Sequence, residues 1–243
     1  MSHDVISSVD QLFTQINAGW QPEYIFFWGH ESTENSPNGK WCLSQWFAAP
    51  FVIDGITYPT AEHFMMAEKA RLFGDEATLA QILAAPHPGV AKALGRQVRD
   101  FDEAVWAEQR FDIVVRGNLT KFSQNEALQS YLLTTNEKIL VEASPTDTIW
   151  GIGLAEIDQR VHDPRQWRGS NLLGFALMQV RAELQEEEYL AYLEAERHMY
   201  KWCLIHIGGY PEHEAKHEAL AFYEYESPED EYRSLVFHDE AWH

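Results

Sequence analysis

Cysteine is scarce in this chain. There are two in 243 residues, Cys42 and Cys203, far apart and without metal-ligand spacing. That excludes a disulfide framework and a cysteine-based zinc module, and it suits a reducing cytoplasm. No run approaches the roughly 18 uninterrupted apolar residues that a spanning helix needs, so no membrane segment is expected. Met1-Ser2-His3-Asp4 has neither a basic start nor an apolar stretch. A secretory signal is therefore not expected. Internal repeats and low-complexity linkers are also missing. Positive charge is in short supply, with 18 Lys and Arg against 38 Asp and Glu, a formal net charge of -20. Such a chain is not a general binder of nucleic acid or of anionic membrane, because neither polyanion is attracted to it.

What is present is ample for a core: 45% hydrophobic residues and nine tryptophans. The length suits one or two domains. The acidity is concentrated, since residues 186–243 hold 15 acidic and 4 basic side chains. The part before them keeps room for a local basic pocket that takes a phosphorylated small molecule. Three regions are expected: an N-terminal helix over 1–23, a main domain over 24–185, and an acidic helical appendage over 186–243. The appendage either packs on the main domain or offers a contact surface to a partner protein.

Periodicity predicts helices over Asp4–Trp20, Asp75–Ala84, Val90–Leu94, Glu103–Lys121, Glu126–Thr134 and Asn171–Leu184. Strands are predicted over Tyr24–Trp28 and Lys138–Glu142. Asp54-Gly55 between two β-rich runs predicts a two-residue type I′ hairpin over Phe51–Tyr58. In the appendage, Tyr189 to Trp202 reads as a helix stopped by Gly208-Gly209. Glu212–Glu226 and Pro228–Phe237 read as two more.

The hairpin aims one helix that the rest is organised around, in the stretch Tyr58 to Phe73. Thr60 is its expected N-cap, behind Pro59. Phe64, Met65, Ala67, Leu72 and Phe73 make it a core helix. Yet Glu62 and Lys69, seven apart, share a face. Either this is a wet polar edge, or it is a catalytic pair at the bottom of a pocket. The helix dipole favours Glu62 as an anion, and desolvation favours its acid form. Either form serves acid–base chemistry. A partly buried Lys69 stabilises an anion or attacks a sugar carbonyl.

Two later stretches complement that face. Asp147-Thr148-Ile149-Trp150-Gly151-Ile152-Gly153 sets an acid, an aromatic plane and two glycines within seven residues, which suits a sugar or nucleobase. Its plain alternative is a turn with a core tryptophan. In Trp167-Arg168-Gly169-Ser170-Asn171-Leu172, Ser170 or Asn171 caps a helix whose free N–H groups, with Arg168, suit a phosphate. Its plain alternative is capping alone. A third motif, His213-Glu214-Ala215-Lys216-His217, spells H-E-x-x-H. Glu212 and Glu218 flank it and Pro211 sets it at a helix start, so a solvated face is expected, with no metal.

In order along the chain stand Leu43-Ser44-x-x-Phe47, the Tyr58–His63 start with Lys69-Ala70, and Ala91-Lys92-x-Leu94-Gly95-Arg96. Trp106, Arg110, Lys121-Phe122 and Leu132-Leu133-x-Thr135 follow. Asp147-x-x-Trp150-Gly151-x-Gly153 and Gly169-x-Asn171-x-Leu173-Gly174-x-x-Leu177-Met178-x-Val180-Arg181 complete the set. This set resembles the NADAR, or YbiA-like, family over roughly residues 24–185. The resemblance implies a mainly helical α+β fold with a small sheet. It also implies a cofactor-free hydrolase, an N-glycosidase acting on a ribose C1′–N bond. Known substrates of the family are phosphorylated ribosylamino-pyrimidine intermediates of riboflavin synthesis and ADP-ribosylated guanine. Where members commonly have Ser-Asn-Phe, this chain has Ser44-Gln45-Trp46-Phe47, which alters the expected pocket.

On that footing Glu62, Lys69 and Asp147 are the catalytic candidates. Glu62 activates water or protonates the base, and Asp147 holds ribose hydroxyls or supports the cation. Lys69 orients Glu62, binds phosphate or traps ring-opened ribose as a Schiff base. Substrate-binding candidates are Ser44, Trp46, Trp106, Arg110, Trp150, Gly151, Gly169, Ser170 and Asn171. Trp150 and Trp46 stack on the base, and Asn171 with its neighbouring N–H groups holds phosphate. The alternative is a non-catalytic NAD- or ADP-ribose-binding module that recruits a partner protein through the acidic tail.

Overall fold

The computed structural model describes residues 5–31, 39–228, 230 and 233. The chain forms two compact units, Val5–Ala182 and a second from Glu183 onward. In the first, α1 (Val9–Asn17) is capped by Ser8, whose side chain accepts from Gln11 N–H. It is shorter than the expected Asp4–Trp20, because Gly19 turns left-handed (φ 104°). Strand β1 (Tyr24–Phe27) follows, then a 3-10 turn at Lys40–Leu43. The middle of the loop expected over Gly29–Lys40 lies outside the described residues.

The hairpin forms as its turn residues dictate. β2 (Phe51–Ile53) pairs antiparallel with β3 (Ile56–Tyr58), and Asp54 and Gly55 take φ of 52° and 77°. It delivers the chain into α2 (Ala61–Leu72). Eight of the twelve α2 residues are buried, from Ala61 through Ala67 plus Ala70. The helix is therefore enclosed rather than amphipathic. Around it pack α3 (Glu76–Leu83), α4 (Pro88–Gly95) and α5 (Glu103–Ser123). Gly95 and Gly117 let α4 and α5 close in, since a Cβ on them would meet Met66 and Phe64.

After α6 (Glu126–Leu133), β4 (Ile139–Glu142) pairs in parallel with β1, Tyr24 opposite Ile139 and Phe27 opposite Glu142. Ile139, Leu140 and Val141 are fully buried. Helix α7 (Leu172–His206) then begins beneath β4 and runs 35 residues. Two separate helices, Asn171–Leu184 and Tyr189–Trp202, were the expectation from the acidic shift at 186. The correction has a simple cause: no Gly or Pro occurs between Phe175 and Ile207, so nothing stops the helix.

The second unit contains the end of α7, a turn at Gly209 (φ 69°) and α8 (Glu212–Phe222). It is tied by polar bonds around Tyr189. Arg233 reaches Glu186 at 2.6 Å and lies 3.8 Å over the Tyr189 ring, and Glu226 N–H donates to Tyr189 Oη. The predicted helix Pro228–Phe237 lies almost wholly outside the described residues. Among the described residues no helix is long and apolar enough to cross a membrane.

The approach of α7 to β4 makes a sharp test. A Cβ on Gly174 would come 2.0 Å from the Leu140 carbonyl oxygen. Backbone cannot swing aside as a side chain can. Gly174→Ala is expected to destabilise the protein by about 1–3 kcal/mol, read by chemical denaturation.

Candidate active site

The first turn of α2 gathers the site. Thr60 Oγ1 accepts from His63 N–H, completing the cap. It also lies 2.8 Å from His63 Nδ1, while His63 Nε2 lies 3.1 Å from the Ala85 carbonyl. A carbonyl only accepts, so Nε2 carries the proton and Nδ1 accepts from Thr60. Burial keeps His63 below the ordinary histidine range, and that neutral form is the one these bonds require. The loop before α4 is thereby fixed, and with it His87.

Glu62, the next residue of the turn, is 2% exposed. Its N–H donates to Gln45 O at 3.0 Å and holds the Ser44–Phe47 segment across the helix start. From the far side, Lys121 on α5 donates to Cys42 O at 2.6 Å and to Ser44 O at 3.1 Å. Asn118 Nδ2 donates to Gln45 Oε1. Lys121 is wholly buried, and burial brings its amine down to about 8. Between these anchors stands Trp46, which hydrogen-bonds the Glu62 side chain. His87 meets the Trp46 ring edge-on at 5.6 Å, His30 lies 5.7 Å from it, and Lys92 Nζ lies 6.0 Å from it.

The Glu62 carboxyl is pushed up to about 7, chiefly by desolvation. The Lys92 charge and the Trp46 hydrogen bond oppose the rise, Asp147 adds to it and Arg96 opposes it. Glu142, the last residue of β4, is pushed up to about 8 by burial first and Asp147 next, with Lys92 opposing. Glu62 Oε1 and Glu142 Oε2 are both buried without a hydrogen-bond partner in the protein. Three carboxyl groups and two cations thus share one electrostatic environment. Glu142, Lys92 and Arg96 were not among the expected site residues. A signal existed for each: Glu142 is a charge closing a buried parallel strand, and Lys92 and Arg96 lie inside one of the ordered motifs.

Asp147 is set by its own loop. Its Oδ1 accepts N–H bonds from Ile149 (2.9 Å) and Trp150 (2.8 Å), and its N–H donates to Ser144 Oγ. Trp150 is half-buried beside it, and Gly151 is buried against the Glu142 carbonyl. Gly169 has no room for a Cβ, which would come 2.2 Å from Gly151 O. Ser44, half-buried, spends its hydroxyl on Trp46 N–H.

The start of α7 corrects one expectation. Its N–H groups are not free for phosphate. Ser170, Asn171, Leu172 and Leu173 donate in turn to the carbonyls of Thr148, Gly151, Ile149 and Trp150. Asn171 is fully buried in the left-handed region (φ 52°). Its amide bridges β4, Nδ2 donating to Leu140 O and Oδ1 accepting from Glu142 N–H. The backbone N–H groups of Ser170 to Leu173 are thus all taken, and the Asn171 side chain is spent on β4.

Lys69 belongs to a second cluster. Its amine lies 3.9 Å over Phe101 and 5.6 Å from the Trp106 ring, and the charge acting on it is Glu103. Burial lowers it from the ordinary lysine range. Arg110 pairs with Glu103 at 3.3 Å, and its Nε is buried without a partner. Two helical turns, about 10 Å of axial rise, separate Lys69 from Glu62. The cations that act on Glu62 are Lys92 and Arg96, and Lys69 is not among them, so orienting Glu62 is not a task for Lys69.

Outside these clusters, a cavity of about 290 Å³ lined by Phe13, Ile16, Trp20, Tyr24, His162 and Pro164 contains none of the acids. In the second unit, the side chain of His213 is 83% exposed. No three His, Cys, Asp or Glu among the described residues form a metal-holding group.

The site thus gathers carboxyl groups, two cations and an indole around the first turn of α2, in a mainly helical α+β domain. The NADAR domain pattern matches residues 26–185, and the chain belongs to that family. It is 44% identical over 170 residues to an N-glycosidase of Acanthamoeba polyphaga mimivirus, covering 68% of this chain and 98% of that one. It is 31% identical over 146 residues to the N-glycosidase YbiA of Escherichia coli, covering 60% and 82%. The solution structure of E. coli YbiA superposes with a TM-score of 0.56 at 28% identity, over 70% of this chain and 89% of that one. The riboflavin biosynthesis protein PYRR of Zea mays is 35% identical over 138 residues, 54% of this chain and 20% of its own. The family is one of hydrolases acting on N-glycosyl compounds, and this chain is a member.

The bridge made by Asn171 yields a test. Asn171→Ala leaves a buried carbonyl and a buried N–H of β4 unpaired. The expected cost is about 1–3 kcal/mol of stability for each unpaired group, measured by urea denaturation.

Proposed function

We propose that this chain hydrolyses the bond between ribose C1′ and a nitrogen in a phosphorylated, nucleotide-like substrate. The two candidate substrates are a phosphorylated ribosylamino-pyrimidine and ADP-ribosylated guanine. The observation that carries the proposal is the sealed Glu62 carboxyl, held near neutrality beside Lys92 and the Trp46 indole. A group with that proton affinity takes and returns protons at working pH. The N-glycosidase names of the relatives support the bond type, and the maize relative's name supports the first substrate.

In this mechanism the C1′–N bond stretches toward an oxocarbenium-like state and water adds to C1′. Glu62 accepts the water's proton and returns it to the departing nitrogen, so charge and atoms balance. Asp147, held by two backbone N–H groups, stands opposite the developing cation. The Trp46 plane receives the base, with Trp150 as the second stacking surface. Lys69, about two helical turns along α2 from Glu62, takes the phosphate end together with Arg110.

The test is turnover of both substrates, read as released base. Glu62→Gln is expected to lower kcat/KM by about 10²–10⁴-fold with the fold intact. Wild-type activity should rise with pH through about 7 as Glu62 ionises. Near-normal turnover by Glu62→Gln on both substrates refutes the assignment. Stability should move oppositely. Burial favours the protonated carboxyl, so its contribution is full below the ordinary carboxylate range and is lost as pH rises through about 7. Glu62→Gln should therefore melt above wild type at alkaline pH.

A further inference from the structure

Trp46 receives the base in that mechanism, yet its own backbone does not decide where the indole points. The main chain around it is fastened, with Glu62 N–H on Gln45 O and Trp46 N–H on Ser44 Oγ. Those bonds leave both indole torsions open, and the residue lies in neither a helix nor a strand. It is half-buried, so packing does not enclose the ring on every side.

What meets the indole is a pair of imidazoles. His87 stands edge-on to it, with ring centres 5.6 Å apart and an interplanar angle of 89°. His30 lies 5.7 Å from the indole and 6.5 Å from His87, so the three rings close a triangle. Edge-to-face contact is a preferred geometry at this spacing. His87 is the member whose place is fixed by bonds. It caps α4, its Nδ1 accepting Gly89 N–H at 3.0 Å. Pro88 restricts the backbone on one side, and on the other the Ala85 carbonyl accepts the His63 Nε2 proton. Gly89 leaves the space in which the two rings meet. A Cβ there would lie 3.1 Å from His87 Nδ1 and 3.3 Å from Trp46 Cη2.

We infer that His87 is a positioning residue that joins the cap of α4 to the Trp46 plane, and so fixes the stacking surface relative to the first turn of α2. The inference rests on the N-glycosidase reading for its effect on turnover, though not for the placement of the indole. Lys92 lies five residues further along the same helix, with Nζ 6.0 Å from the Trp46 ring. One short helix therefore carries a cation beside the indole and, at its cap, the ring that orients it. The imidazole performs two separable tasks. Its Nδ1 holds the cap, and its ring holds the indole.

Substitution in the full chain separates them. His87→Asn keeps a good N-cap and removes the ring. His87→Phe keeps a ring and removes the acceptor. Thermal stability is expected to follow the cap, so His87→Asn melts with wild type and His87→Phe melts below it. Turnover of the two candidate substrates is expected to follow the ring. His87→Asn should raise KM about tenfold with kcat nearly unchanged, and His87→Phe should bring KM back to within about threefold of wild type. A loss that follows the cap instead, with His87→Phe the poorer enzyme, overturns the inference. So does a loss confined to kcat, which is what a partly unfolded sample gives. The second readout needs no substrate. It is the indole N–H resonance of Trp46, assigned by its disappearance in Trp46→Phe. The resonance should shift in His87→Asn and return toward its wild-type position in His87→Phe. An unmoved resonance in His87→Asn overturns the inference whether or not substrate is cleaved. If wild type cleaves neither substrate while the resonance follows the ring, the proposed function fails and the positioning of Trp46 stands.

Discussion

One buried helical turn governs this domain. Thr60, Glu62 and His63 occupy consecutive roles at the start of α2, and each bond they make fastens a different piece of chain. Glu62 N–H holds the Ser44–Phe47 segment, and the His63 ring holds the loop that carries His87. The cap itself fixes where the helix begins, and so where the Glu62 carboxyl lies. Because the turn is enclosed by α3, α4 and α5, none of these bonds competes with bulk water. The same enclosure raises the Glu62 proton affinity. Folding and chemistry thus draw on a single act of burial.

What the sequence made legible was local. Asp54-Gly55 demands positive φ at both residues, and Thr60 behind Pro59 signals a cap, so the hairpin and the helix start could be read directly. The parts that could not be read depend on partners distant in sequence. Ser170 and Asn171 look like a free helix N-terminus until carbonyls from Thr148 to Gly151 fill it. Glu142 looks like the frayed end of a strand until Asp147 and Lys92 close around it. Lys69 shares a helix with Glu62, but seven residues also amount to two turns, and Glu103 and Phe101 claim it. The acidic shift at 186 reads as a boundary in composition, while α7 obeys backbone propensity and continues.

The net charge of -20 conceals a finer arrangement. Acids are tolerated at the centre of the domain because cations and main-chain dipoles are portioned out to them. Lys92 serves two carboxyl groups at once, Arg96 serves one, and Asp147 is served by backbone alone. Removing Lys92 therefore changes the proton affinity of Glu62 and Glu142 together.

The parallel pairing of β1 with β4 has a further consequence. Tyr24 meets Ile139 only after the hairpin, α2 and the next four helices have been threaded between them. Such a long closure is entropically slow, and it comes late in folding. Glu142 and Asp147 arrive with the second strand, whereas Glu62 lies in the segment already made. Most of the domain is thus synthesised before the three acids can come together. The electrostatic surroundings of Glu62 are complete only when the last strand and the loop after it have docked.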